Sequence, residues 1–101
     1  MASRLSLQLT LEKILGSRNV YFQPPESIKM SYPAIVYSRS DIRNVFADDS
    51  VYNSRKQYQI TLIDKNPDSV FVDKLSELTT CRYIRHYTSD NLNHDVFVIY
   101  Y

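Results

Sequence analysis

The stretch Arg55-Lys-Gln-Tyr-Gln-Ile-Thr-Leu-Ile-Asp64 alternates apolar and polar side chains, and this alternation decides the class of the fold. Its apolar members Tyr58, Ile60 and Leu62 lie two positions apart, which is the period of a strand with one buried face. The residues that follow, Asn66-Pro-Asp68, supply a capping side chain, a proline and an early acid, which together mark a helix start. The sequence therefore predicts a half-buried strand followed directly by a helix.

Apolar spacing on both sides of this stretch predicts the remaining elements. They are a helix over residues 5–15 ending at Gly16, strands over residues 20–23 and 32–37, a helix over residues 67–78, and strands over residues 81–87 and 96–101 joined by a polar turn. The last strand is apolar on both faces, so we expect it to be central in the sheet or covered by a neighbouring subunit. The order α-β-β-(long loop)-β-α-β-β predicts an α+β fold in which two helices pack on one face of a mostly antiparallel sheet.

Residues 38–54 show no sustained period, and we interpret them as a long loop or hairpin excursion within a single domain of residues 1–101. Apolar side chains surrounded by mixed charge are typical of a segment that a partner covers. The segment is therefore the predicted partner or ring interface, with little expected contribution to the stability of the monomer. Its candidate contact residues are Arg39, Asp41, Ile42, Arg43, Val45, Phe46, Asp48, Asp49 and Tyr52.

Composition narrows the classes of function. The chain has 101 residues, which is one domain, and its formal charge of +1 is too balanced for a protein that mainly grips phosphates. A single glycine excludes the glycine-rich loops that cradle nucleotide phosphates. The lone Cys81 cannot form an internal disulfide, and no apolar run approaches the ~20 residues that span a bilayer. We expect a soluble protein of a reducing compartment, with no membrane partner.

Few residues suggest chemistry. Cys81, His86 and His94 could form a metal site with Asp90 or Asp95, but Cys81 and His86 are an odd number of positions apart and so lie on opposite faces of a regular strand. The same argument disfavours a catalytic Cys–His pair. Carboxylates are paired at Asp48-Asp49 and at Asp90/Asp95, but no flanking residues would separate the two pKa values of a pair, as acid–base catalysis requires. We predict no catalytic, metal or cofactor site, and a protein that is not an enzyme.

A second interpretation rests on basic and aromatic residues that alternate near the end of the chain. On a regular strand Tyr83, Arg85 and Tyr87 share one face, and such a face can stack bases and neutralise phosphates. A small nucleic-acid-binding α+β module is therefore an alternative. The eleven acidic residues of the chain weaken its net positive field, which favours the simpler interpretation that these residues form a solvated rim around the sheet.

Several stretches resemble one protein family. They are Tyr32-Pro-Ala-Ile-Val-Tyr37, Phe46-Ala-Asp-Asp-Ser-Val-Tyr52, Tyr58-Gln-Ile-Thr-Leu-Ile-Asp-Lys-Asn-Pro-Asp68 and Tyr87-Thr-Ser-Asp-Asn-Leu-Asn-His-Asp-Val-Phe97. Together they resemble the small tail completion and tail terminator proteins of long-tailed bacteriophages, in the versions carried by phages and prophages of Gram-positive hosts. Neighbouring head-tail connector proteins, such as stoppers and adaptors, are similar in size and remain an alternative.

The resemblance implies a structural role in the virion. Members assemble in the host cytoplasm into a homohexameric ring at the head-proximal end of the tail, stop polymerisation of the tail tube and form part of the head-tail joint. The partners implied are other copies of the chain, the major tail tube protein and the stopper of the head-tail connector. DNA would pass through the ring without specific binding, and no cofactor is implied.

Overall fold

A computed structural model describes the backbone of residues 4–25, 28–47 and 50–101, and the side chains of those residues outside 41–55. The chain folds as α1 (Arg4–Leu15), β1 (Val20–Phe22), β2 (Ala34–Ala47), β3 (Ser50–Asp64), α2 (Val70–Ser76), β4 (Cys81–Ser89) and β5 (Leu92–Tyr100). This is the predicted α+β fold with the predicted order of helices and strands. Ser3, a plausible capping residue for the first helix, lies outside the described residues.

The five strands form one sheet in the order β1-β2-β3-β5-β4. Among the described strands the short β1–β2 pair is parallel, and the pairs β2–β3, β3–β5 and β4–β5 are antiparallel. β5 lies between β3 and β4, so the prediction of a central terminal strand is confirmed. A strand with neighbours on both sides and a helix layer over one face keeps apolar residues at most of its positions.

One face of the sheet holds the core and carries both helices. The buried residues of the core are Leu7, Leu11 and Leu15 of α1, Leu75 of α2, Val20 of β1, Ile35 and Tyr37 of β2, Tyr58, Ile60 and Leu62 of β3, and Phe97 and Ile99 of β5. Side chains on alternate positions of the same strands lie on the other face, which we call the outer face. On β5 the outer face holds His94, Val96, Val98 and Tyr100.

The first helix is set by apolar spacing and ended by its glycine. Leu7, Leu11 and Leu15 recur every four residues and are buried against the sheet. Gly16 has a φ of +74°, and its N–H donates to the carbonyl of Glu12 at 2.8 Å. A left-handed residue closes a helix in this way at little cost only when it is glycine.

A polar network joins α1 to β2 at the edge of this core. The Tyr37 hydroxyl donates to Oε1 of Gln8, and Nη1 of Arg4 donates to the Tyr37 hydroxyl at 3.2 Å. Gln8 in turn donates through Nε2 to the carbonyl of Val20 at 3.0 Å. The Arg4 guanidinium lies 4.4 Å from the ring centre of Phe22, which is a cation–π contact. The network therefore fixes the position of the first helix on the sheet.

The second helix is shorter than predicted. We expected it over residues 67–78 with Asn66 as the cap, whereas it begins at Val70 and Oγ of Ser69 accepts from the N–H of Phe71 at 3.4 Å. Asn66 instead accepts from the N–H of Asp68 through Oδ1 at 2.9 Å, which closes a turn before the helix. Asparagine and aspartate side chains stabilise such turns as readily as they cap helices, so the local sequence fitted both structures.

The last two strands are longer, and their connection tighter, than predicted. We expected a polar turn over residues 88–95, but β4 runs to Ser89 and β5 begins at Leu92. Only Asp90 and Asn91 connect them, with φ angles of +54° and +63°. Two central residues with positive φ form the hairpin turn whose twist matches that of the strands, and aspartate and asparagine tolerate these angles.

Candidate interaction surface

The predicted excursion over residues 38–54 forms an extended hairpin. β2 and β3 continue through it as paired antiparallel strands from Ser38↔Gln59 to Ala47↔Ser50, with register shifts between Arg39 and Asp41 and between Val45 and Phe46. Of the two forms expected for this segment, a long loop or a hairpin, the described strands form the hairpin. The sequence did not reveal the strands because two bulges break the period of two.

The hairpin extends beyond the rest of the sheet as a two-stranded projection, which we call the ribbon (residues 41–47 and 50–56). β1 pairs with β2 only as far as Tyr37, and β5 pairs with β3 only from Gln57. Over the ribbon, therefore, each strand has only the other as a partner among the described strands. The long axis of the molecule reaches 51 Å, against 26 and 23 Å in the other two directions.

The structure places most of the predicted interface residues on the ribbon. Asp41, Ile42, Arg43, Val45 and Phe46 belong to β2, and Tyr52 belongs to the opposing β3. Their backbones are held together by the pairs Arg43↔Arg55, Val45↔Asn53 and Phe46↔Val51. Arg39 lies at the base of the ribbon, opposite Tyr58, and is exposed. Asp48 and Asp49 lie outside the described residues.

Hydrogen bonds fix the base of the ribbon to the body. The N–H of Arg39 donates to Oε1 of Gln23 at 3.3 Å, and Oγ of Ser40 donates to the carbonyl of Gln57 at 3.2 Å. At the end of the chain, the N–H of Tyr101 donates to the carbonyl of Lys56 at 2.9 Å. The base of the ribbon is therefore held by the residue that follows β1, by β3 and by Tyr101.

A second exposed surface is the β4 edge of the sheet. β4 pairs only with β5 among the described strands, and every residue from Arg82 to Asp90 is exposed. A register shift falls between Tyr83 and Arg85, so Ile84 is an extra residue in the strand. Before the shift Tyr83 is opposite Phe97, and after it Arg85 is opposite Val96.

Because of this bulge, the predicted basic and aromatic face of Tyr83, Arg85 and Tyr87 does not form. Tyr83 lies on the core face, where its ring meets the Phe97 ring edge-on at 5.2 Å between centres. Tyr87 lies on the outer face, where it stacks on His94 at 4.6 Å. Tyr83, Arg85 and Tyr87 therefore do not share a face, because the extra residue moves every later side chain to the opposite side.

The prediction that Cys81 and His86 lie on opposite faces of their strand is also wrong because of the bulge. Cys81 is opposite Ile99 and His86 is opposite Asp95, so both belong to the core side of β4. Those two β5 residues are four positions apart, which is about 13 Å along a strand. Burial raises the pKa of the Cys81 thiol to about 11. Among the described residues, no group of three or more His, Cys, Asp or Glu side chains could hold a metal ion.

Asp95 is a buried acid that the sequence analysis placed in a solvated turn. It is only 7% exposed, and the Tyr83 hydroxyl donates to its Oδ1 at 2.9 Å. Burial, with a further contribution from Asp95, raises the pKa of Tyr83, so this hydroxyl stays protonated and keeps donating. Asp95 lines an open cavity of about 280 Å³ near the start of α2 with Ser69 and Val72. In the sequence, its burial is indicated by its position directly before the apolar run that starts at Val96.

Neither described helix is long and apolar enough to cross a bilayer. No protein-family model matches the chain, and no curated protein matches it.

Proposed function

We propose that this protein is a non-enzymatic phage tail assembly protein that caps the tail tube as a ring, ends its polymerisation and forms part of the head-tail joint. The proposal rests on the resemblance of four stretches to tail terminator proteins and on the α+β order that this family implies. The observation that carries it furthest is the ribbon, because ring subunits must reach across to their neighbours.

The ribbon has the properties of an arm that a neighbouring molecule covers. From Gln57 to Ser50 it projects by seven residues, or about 23 Å at the usual rise of a strand. No third described strand pairs with it, and a two-stranded hairpin by itself is only marginally stable in water. Its two outer edges also present backbone groups that a further strand can pair with. Contact with another subunit would satisfy both requirements.

A ring also requires an interface that is not self-complementary. The ribbon extends from one end of the molecule, so a contact between the ribbon of one copy and the body of the next uses two different surfaces. Contacts of this kind close into rings when the rotation between subunits permits. Apolar anchors such as Ile42 and Phe46 would supply affinity in such a contact, and the charges around them would fix the register.

The test is a variant with a shortened ribbon. Residues 43–55 are replaced by Asn-Gly, so that Ile42 and Lys56, which are already opposite, flank a two-residue turn. We expect the melting temperature to change by only a few degrees, because the core residues of the two helices and the sheet body are retained. Lys65→Gln, an exposed change in the β3–α2 connection, is the matched control.

Assembly is measured by sedimentation velocity and by electron microscopy after coexpression with the tube protein of the same gene cluster. The full chain and Lys65→Gln should form a species of six subunits and cap tubes of uniform length, whereas the shortened variant should remain monomeric with uncapped tubes. Tubes capped equally well by the shortened variant, or no capping by the full chain, would show that the proposal is wrong.

A further inference from the structure

The bulge at Ile84 places two arginines side by side on the outer face. Arg82 is opposite Val98 and Arg85 is opposite Val96, so they occupy successive positions of the same face. The β5 residues opposite them are two positions apart, which is about 7 Å. In a regular strand a spacing of three would have put them on opposite faces. Both are exposed, and the residues opposite them on β5 are apolar.

Among the described residues of β3 and β5, no acid occupies the outer face beneath this pair. The outer-face residues of β5 are His94, Val96, Val98 and Tyr100, and those opposite them on the described part of β3 are Ile63, Thr61, Gln59 and Gln57. Arg82 and Arg85 are therefore exposed on the outer face beside the free edge of β4, where the Arg85 guanidinium lies 5.6 Å from the ring centre of Tyr87. Two arginines at this spacing match carboxylates that are also two residues apart on a neighbouring strand.

The β4 edge combines features that discourage strand pairing with features that favour a partner. Charged residues and a bulge discourage strand pairing, and β4 has both. However, Tyr83, Ile84 and Tyr87 are 43%, 43% and 41% exposed, and large apolar side chains favour contact with a partner. An open cavity of about 500 Å³ lies at the start of β4, between Arg82, Val98 and Tyr100, and provides room for one large side chain.

We propose that the β4 edge binds an extended acidic segment of a partner protein, whose backbone adds to the sheet and whose carboxylates at alternate positions pair with Arg82 and Arg85. Backbone hydrogen bonds supply affinity in this mode of recognition, and the alternate side chains supply specificity. The exposed Tyr83 and Ile84 and the cavity beside Arg82 contact the apolar residues of the segment.

A second copy of this chain does not supply such a segment. Its eleven acids include the adjacent pair Asp48-Asp49, but no two acids lie two positions apart in the sequence. Pairing of β4 with β4 of another copy would also bring the two pairs of arginines together, which is unfavourable. The occupant is therefore a different protein, and the proposal does not depend on ring formation.

The experiment uses isothermal titration calorimetry to compare three nine-residue peptides, which consist of threonine and valine except at two positions. One carries glutamates at positions 4 and 6, an isomer carries them at positions 4 and 5, and the third carries lysines at positions 4 and 6. We expect the first to bind at least about tenfold more tightly than the isomer, and the lysine peptide not to bind. Binding should weaken at high salt and slow hydrogen exchange of the β4 amides.

Variants locate the site. Arg82→Gln and Arg85→Gln should each weaken binding of the first peptide by about fivefold or more, whereas Arg18→Gln, an exposed arginine between α1 and β1, should leave binding unchanged. Circular dichroism verifies that all three variants fold. Equal binding of the two glutamate isomers, equal loss in Arg18→Gln, or binding of single-stranded DNA but of no peptide would each overturn the proposal.

Discussion

Replacing Tyr37 with phenylalanine removes one hydroxyl from the contact between α1 and the sheet. Tyr37 is 1% exposed, and its ring packs against Phe22 and Tyr58 with centres 5.0 and 6.0 Å away. Phenylalanine keeps these ring contacts, so the change isolates the hydrogen bonds to Gln8 and Arg4. Burial raises the pKa of Tyr37, which keeps the hydroxyl protonated and able to donate.

The expected loss follows from the burial of the two partners. An acceptor that is fully buried and left without its donor costs about 1–3 kcal/mol. Gln8 and Arg4 are half-buried, so water can partly replace the lost hydroxyl, and we expect about 1–2 kcal/mol. In a domain of about 100 residues each kcal/mol lowers the melting temperature by about 4–8 °C, which gives a decrease of roughly 5–15 °C.

Thermal and urea unfolding measure the effect, and Tyr101→Phe is the matched control. The Tyr101 hydroxyl also bonds a side chain of α1, Oγ of Ser6 at 2.8 Å, but that contact is exposed to water. We expect its loss to cost about 0.5 kcal/mol or less. A double-mutant cycle with Gln8→Leu should give a coupling energy near 1 kcal/mol. A Tyr37→Phe protein that melts within one degree of the unmodified protein would refute the reasoning.

Two further predictions concern β5 and β4. Phe97→Ala should cost about 3–5 kcal/mol because the ring is fully buried, whereas Val98→Ala, on the half-buried outer face, should cost about 1 kcal/mol or less, as measured by urea unfolding; equal costs would contradict the assignment of faces. At pH 8 the folded Cys81 thiol should react with a disulfide reagent at least about tenfold more slowly than after unfolding. Its pKa of about 11 instead of 9.0 lowers the thiolate fraction by roughly 100-fold, and the higher nucleophilicity of a more basic thiolate offsets part of this; equal rates would contradict its burial.

The sequence by itself determined the class of the fold and the order of its elements. The period of two around Tyr58, Ile60 and Leu62 and the period of four in α1 are local patterns, and each matches one way of burying apolar side chains. Gly16 marked the end of α1 because the conformation it adopts is costly for other residues. The apolar terminal run indicated a central strand, and the position of β5 agrees.

For the candidate interaction surface, the sequence indicated the segment but did not decide between a long loop and a hairpin. The mixture of apolar and charged residues drew attention to residues 38–54, yet the strands there depend on pairing between β2 and β3. Pairing brings together residues far apart in the chain, and two register shifts hide the period that a regular strand would show. The propensities of single residues cannot reveal such pairs.

Only the tertiary structure decided which side chains share a face on β4. The bulge at Ile84 arises from the register between β4 and β5, and it reverses the faces of all residues after it. For this reason Arg82 and Arg85 lie together, Tyr83 and Tyr87 lie apart, and Cys81 and His86 belong to one side. The burial of Asp95 has a similar origin, because its partner Tyr83 comes from the neighbouring strand. A one-residue offset costs little locally but changes every later contact, so it is fixed by the packing of the whole sheet.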